Sequence, residues 1–205
     1  MNVYVETNFV LEHALEQEQC ESCEELIRLA SAGSIRLVVP AFSLAEPHIA
    51  LMSKDKARSR LIKDLENHIS ELGRSRPFRE ELGSFRDLTA LLSGSAKRER
   101  AGLQRAIDEM LLAADVIPLD YDVFRFADQM QAVRDMSAQD SIVLGSIVLH
   151  LAKAESAESC FLNRNSKDFD DPTVREMLDS FNCRFFARFD DGLRYIEARL
   201  RQEES

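Results

Sequence analysis

Five short apolar runs separated by longer helical stretches constrain the fold of this 205-residue chain more than any other feature. Val3-Tyr-Val5, Ile35-Arg-Leu-Val-Val39, Val116-Ile-Pro-Leu119, Cys160-Phe-Leu162 and Cys183-Arg-Phe-Phe186 are the candidate strands. Phe9, Leu11 and Leu15 follow the first run in an amphipathic pattern. Ser22-Cys-Glu-Glu25 is a capping-box pattern that opens a second helix, and Gly33 is its stop. Phe42, Ala45, Ile49 and Met52 fall at helical spacing, and Pro47 among them should start that helix late or kink it. Residues 54–115 read as one long helical excursion with breaks near 73–77 and 93–95. Residues 120–133 and 137–153 read as two helices, the second almost wholly apolar and therefore internal. A short helix near 173–181 and a final one over 190–201 complete the pattern. Strands alternating with helices predict an α/β fold, a three-layer α/β/α sandwich around a mostly parallel central sheet. The expected organisation is a single domain over 1–205 with a helical insertion at 54–115.

Charge is segregated along the chain. Residues 54–105 carry thirteen Lys and Arg against eight Asp and Glu, so a net charge of −10 divides into +5 for this stretch and −15 for the remainder. The net charge argues against a uniformly basic nucleic-acid coat, whereas a basic stretch on an acidic chain hints at a binding surface without specifying its partner. The longest apolar stretch, 142–152, is interrupted by Gly145, Ser146 and His150. It falls short of the ~20 residues a membrane span needs, so no membrane partner is expected. Met1-Asn2-Val3-Tyr4 lacks the basic start and apolar stretch of a signal peptide, which predicts a cytoplasmic protein. In that compartment Cys20, Cys23, Cys160 and Cys183 need not pair, and all four read as buried or incidental. His13, His48, His68 and His150 show no paired spacing and read as structural.

The acids carry the chemistry. In parallel sheets, ligands bind at the carboxyl ends of the strands. Glu6 lies just past the first strand and Glu46 in the helix after the second. Asp140 opens the internal helix, and Asp168 follows the strand that ends at Leu162. Four carboxylates meeting at one sheet edge would repel one another unless a hard divalent cation lay among them, and oxygen ligands suit Mg²⁺ or Mn²⁺. Each acid also has a purely structural reading. Ser137-Ala-Gln-Asp140 is itself a capping box, and an acid in a first helical turn gains ~0.3–1 kcal/mol from the helix dipole. Glu6 could cap the helix that follows it. Asp168, Asp170 and Asp171 form an acidic run of a kind common in solvated loops.

Four separated segments, Val3-Tyr-Val-Glu-Thr-Asn8, Ala41-Phe-Ser-Leu-Ala-Glu46, Gln139-Asp-Ser-Ile142 and Phe161-Leu-Asn-Arg-Asn-Ser-Lys-Asp-Phe169, resemble the signatures of the PIN domain, a metal-dependent nuclease fold. Order and spacing match that family over 1–52 and 116–190. The resemblance implies that Glu6, Glu46, Asp140 and Asp168 bind the metal and carry catalysis. It also implies that Asn8 and Asn165 line the same site. Two departures stand out: Glu6 replaces the usual Asp, and Asn163 occupies a position where the family often has Thr or Ser.

The implied reaction is hydrolysis of RNA phosphodiester bonds by an endoribonuclease using Mg²⁺ or Mn²⁺. Arg164 and Lys167 flank the expected site and are candidates to hold phosphate, with Arg74, Arg76 and Arg79 as further RNA contacts in the arm. Two other readings share the fold. One is an RNA-binding or protein-interaction module with weak or lost catalysis; the other is the toxin of a toxin–antitoxin pair, with an antitoxin-like protein partner. Homodimers are common in the resembled family.

Overall fold

β1 (Asn2–Val5) runs through the middle of a parallel sheet, flanked by β2 (Arg36–Pro40) on one side and β4 (Ser159–Leu162) on the other. The structure is a computed structural model that describes residues 1–78, 82–133, 136–154, 158–164, 169 and 171–203. β3 (Ala114–Ile117) and β5 (Cys183–Phe186) complete the order β3-β2-β1-β4-β5, with every pairing parallel. Parallel neighbours require crossover connections, and helices provide them. They are α1 (Thr7–Ala14), α2 (Cys20–Ser31), α3 (Ala41–Leu72), α4 (Gly83–Ala113), α5 (Tyr121–Val133), α6 (Ala138–Lys153) and α7 (Pro172–Ser180), and α8 (Phe189–Glu203) follows the last strand.

The period of two along the strands divides the core into two apolar layers. Val3, Val5, Leu37 and Leu162 face one side, where they pack with Phe9, Leu26 and Phe189 from α1, α2 and α8. Tyr4, Val38 and Phe161 face the other, where α6 supplies Val143, Leu144 and Ile147 and α7 supplies Val174 and Leu178. The three-layer α/β/α sandwich expected from the sequence is the observed fold.

The long helices depart from expectation. α3 starts at Ala41 rather than after Pro47, and runs through that proline to Leu72. Pro47 lies beyond the first turn, so its missing N–H deprives the Ser43 carbonyl of a helix bond. The hydrogen bond from Thr7 to Glu46 ties this weakened turn to α1. The break expected near 73–77 is present, as a turn and a 3₁₀ segment at Arg76–Phe78. The one expected near 93–95 is absent, because α4 is continuous. Ser95 turns its hydroxyl back onto the Leu92 carbonyl at 2.9 Å, satisfying it without breaking the helix. α2 starts at Cys20, two residues before the capping pattern, and Ser22 instead donates to Asp190. Gly33 closes α2 in the left-handed region, at φ 74°.

α3 and α4 form an antiparallel hairpin whose base belongs to the core. Leu51, Leu103 and Ala106 pack there with Val10 and Ala14 of α1. Higher up, Arg58 pairs with Asp55 and Glu99, and Arg100 pairs with Asp55, so two of the arm's cations join its own helices.

Gly102 allows α4 to approach the end of α1. A Cβ there would lie 2.2 Å from the Ala14 carbonyl oxygen, a backbone atom that moves only with its helix. Gly102→Ala should therefore destabilise by about 1–3 kcal/mol through overpacking. Thermal unfolding checks this directly: the expected midpoint falls, whereas a rise would mean that the ~1 kcal/mol gain in helix propensity outweighs the clash.

Candidate metal centre at the carboxyl edge of the sheet

Strand order reverses at β1. The chain moves outward through β2 and β3, then crosses back to place β4 on the other side of β1. Such a switch point leaves a crevice at the carboxyl ends of the two central strands. Val5 is in register with Leu162, so Glu6 and Asn163 emerge side by side.

Glu6 is the N-cap of α1. Its backbone is extended (φ −138°, ψ −166°), and its Oε1 accepts the Asn8 backbone N–H at 2.9 Å. Asn8 in turn donates its amide Nδ2 to Asn163 Oδ1 at 3.3 Å, linking the ends of β1 and β4. Thr7 donates its hydroxyl to Glu46 Oε2, which fixes the glutamate of α3 against the first turn of α1. Asp140 lies in the first turn of α6, where Ser137 caps the helix. The Ser137 hydroxyl accepts the Asp140 N–H and donates to its carboxylate. The capping expected of Glu6 and of Asp140 is therefore real, and it orients both side chains.

Glu6 is only 5% exposed. Burial pushes its carboxyl up to about 8; the Asn8 N–H opposes this, and the negative charges of Glu46 and then Asp140 add to it. That mutual influence brings the three acids together electrostatically at one sheet edge. They are not tightly clustered: among the described residues, their oxygens do not all come within 4.8 Å of one another. Three separate hydrogen bonds hold them in place.

Carboxylates and amide oxygens form a hard donor set of the kind Mg²⁺ and Mn²⁺ prefer. A buried acid with two acids nearby is relieved by positive charge. The residues present therefore fit a divalent cation.

Asp168, Asn165, Lys167 and Arg79, together with Asp170, lie outside the described residues. Arg164 stands at the edge of the site, but its guanidinium is already engaged. It pairs with Glu12, buried at 1% exposure, and with Glu18 at 3.1 Å. A buried carboxylate needs such a partner, so Arg164 has a structural task. Arg74 and Arg76 are at the far end of the hairpin. Arg74 is twenty-eight residues beyond Glu46, about 42 Å along a straight helix. The structure does not bring these two arginines to the acids.

Sequence reasoning overlooked Thr7, Glu12 and Lys54. Lys54 shares a cavity of about 330 Å³ with Asn8, Glu12 and Arg164. Its position eight residues after Glu46, roughly two helical turns, was the available signal.

A PIN domain family model matches residues 3–169, so the chain belongs to the PIN domain family, whose members are generally metal-dependent nucleases. The matched span includes the α3–α4 hairpin. Comparison with curated proteins returns no match. Among solved structures, the chain is similar to VapBC2 from Rickettsia felis bound to a DNA fragment from its promoter. That likeness has a TM-score of 0.47 and 12% identity, covering 91% of this chain and 98% of the other. Among the described residues no helix is long and apolar enough to cross a membrane.

Proposed function

We propose that the protein is an endoribonuclease that hydrolyses RNA phosphodiester bonds with Mg²⁺ or Mn²⁺ held by Glu6, Glu46 and Asp140, and by Asp168. The observation that carries this reading is that three acids lie at the β1–β4 switch point, with the Glu6 carboxyl raised chiefly by burial and further by the charges of the other two. A bound divalent cation supplies positive charge opposite the phosphate and acidifies the attacking water. The chain supplies placement. Glu6 and Asp140 are fixed by helix caps, Glu46 by Thr7, and Asn8 and Asn163 present amides at the crevice floor. Lys54 is positioned in the neighbouring cavity to receive a flanking phosphate.

The test is cleavage of single-stranded and structured RNAs by purified protein with Mg²⁺, with Mn²⁺ and with chelator. Metal-dependent internal cleavage is the expected result. Binding without cleavage under every condition would replace the enzyme with an RNA-binding module.

The arm should matter only for long substrates. Reversing both Arg74 and Arg76 to Glu is expected to weaken binding of an RNA that spans ~40 Å and to reduce its salt dependence. Affinity for a short oligonucleotide should be unchanged. Equal loss for both lengths would place these arginines near the site rather than at the end of the arm.

A further inference from the structure

We propose a second metal site, for a zinc-class divalent cation, where α1, α2 and α4 meet, with His13, Cys20 and Glu24 as its protein ligands. This site does not depend on the nuclease reading. His13 is seven residues from Glu6 along α1, about 10 Å away.

Geometry carries the inference. The ligand atoms of His13, Cys20 and Glu24 all lie within 4.8 Å of one another. Cys20 Sγ is 3.9 Å from His13 Nδ1 and 3.6 Å from Glu24 Oε1. Tetrahedral zinc with ordinary Zn–S and Zn–N lengths separates its ligand atoms by about 3.5 Å, so only small side-chain movements are needed. The other ring nitrogen supplies an independent observation. His13 Nε2 meets the Glu109 carboxylate of α4 at 2.5 Å. With Nε2 engaged by this carboxylate, Nδ1 is the ring nitrogen that faces the thiol, the carboxylate–histidine–metal arrangement seen around zinc.

Access and chemistry agree. His13 and Cys20 are buried, whereas Glu24 is exposed. A cavity of about 310 Å³, lined by His13, Glu16, Glu24, Arg105 and Glu109, leads to the cluster. Arg105 contributes the opposing positive charge there, and it is paired with Glu16 at 2.8 Å. One thiol, one imidazole and one carboxylate suit a borderline-soft ion better than Mg²⁺, and three protein ligands leave a fourth position for water. Binding would convert the Cys20 thiol to thiolate and release its proton to solvent. Cys23, one turn further along α2, is buried in the sheet-facing core and takes no part.

Titration of the metal-free full-length protein with Co²⁺ tests the proposal. The expected result, with excess Mg²⁺ present to occupy the carboxylate centre, is a sulfur-to-cobalt charge-transfer absorption that saturates at one equivalent and is displaced by Zn²⁺. Cys20→Ser should abolish the band. Glu24→Gln, at an exposed position that spares the fold, should weaken Co²⁺ binding at least tenfold. Asp140→Asn should leave the band intact, which separates this site from the carboxylate centre, where no sulfur is present. Lack of a thiolate band in the wild type, its persistence in Cys20→Ser, or unchanged Co²⁺ affinity in Glu24→Gln overturns the proposal.

Discussion

Replacing Asp140 by Asn is expected to lower metal-dependent RNA cleavage by about 10² or more while leaving the fold intact. The size follows from the several kcal/mol that metal assistance contributes to phosphodiester hydrolysis. The variant discriminates because Asp140 has two tasks. As part of the α6 cap it exchanges hydrogen bonds with Ser137, and an Asn at this position can still accept from that hydroxyl. As a charge it acts on buried Glu6 and on any cation in the crevice. Asn preserves the first task and removes the second. The metal-free thermal midpoint should hold or rise, since one source of repulsion on Glu6 has gone. An Asp140 that only caps α6 predicts the reverse: slight destabilisation with cleavage unchanged.

Glu6 makes the stability of the metal-free protein depend on pH. Its folded carboxyl is raised from an ordinary 4.5 to about 8. Below pH ~4.5 the group is protonated whether the chain is folded or not, and the fold bears no penalty. As pH rises, the unfolded chain releases this proton freely, whereas the folded chain must keep it or bury a charge. Stability from this group is therefore lost progressively between about 4.5 and 8. The ceiling is on the order of 4–5 kcal/mol. Glu6→Gln retains an acceptor for the Asn8 N–H and cannot ionise, so it should flatten this part of the profile. Urea unfolding in chelator at a series of pH values measures it. The variant should gain on the wild type steadily above pH 5, and Mg²⁺ at pH 8 should stabilise the wild type far more. A constant difference between the two proteins from pH 5 to 8.5 would mean that Glu6 is not buried against other acids.

The sheet was legible because its strands are brief apolar runs separated by longer helical patterns, an alternation with few alternative folds. That Glu6, Glu46 and Asp140 lie near one another was legible for a related reason: in a parallel sheet, residues just past strand ends and at helix starts converge on one edge. The long helices were less so. Pro47 and the 93–95 serines and glycine are local breakers, and in the folded chain packing against α1 and a side-chain back-bond override them. The pairing of Glu12 with Arg164 spans 152 positions and leaves no local trace. His13, Cys20, Glu24 and Glu109 come from three helices, so their convergence is a product of tertiary packing rather than of any motif. The arm's basic surplus was visible in composition. Composition did not reveal that Arg58 and Arg100 are used within the hairpin, or that Arg74 and Arg76 stand a long helix away from the acids.

A crystal structure of the protein soaked in Mn²⁺, with anomalous scattering to locate the ion, tests the central claim most directly. The account predicts one or two manganese peaks among Glu6, Glu46 and Asp140. The metal–oxygen distances should be near 2.0–2.2 Å, and the carboxylates should be drawn closer together than the metal-free hydrogen bonds hold them. Manganese absent from these three carboxylates at saturating concentration would contradict it.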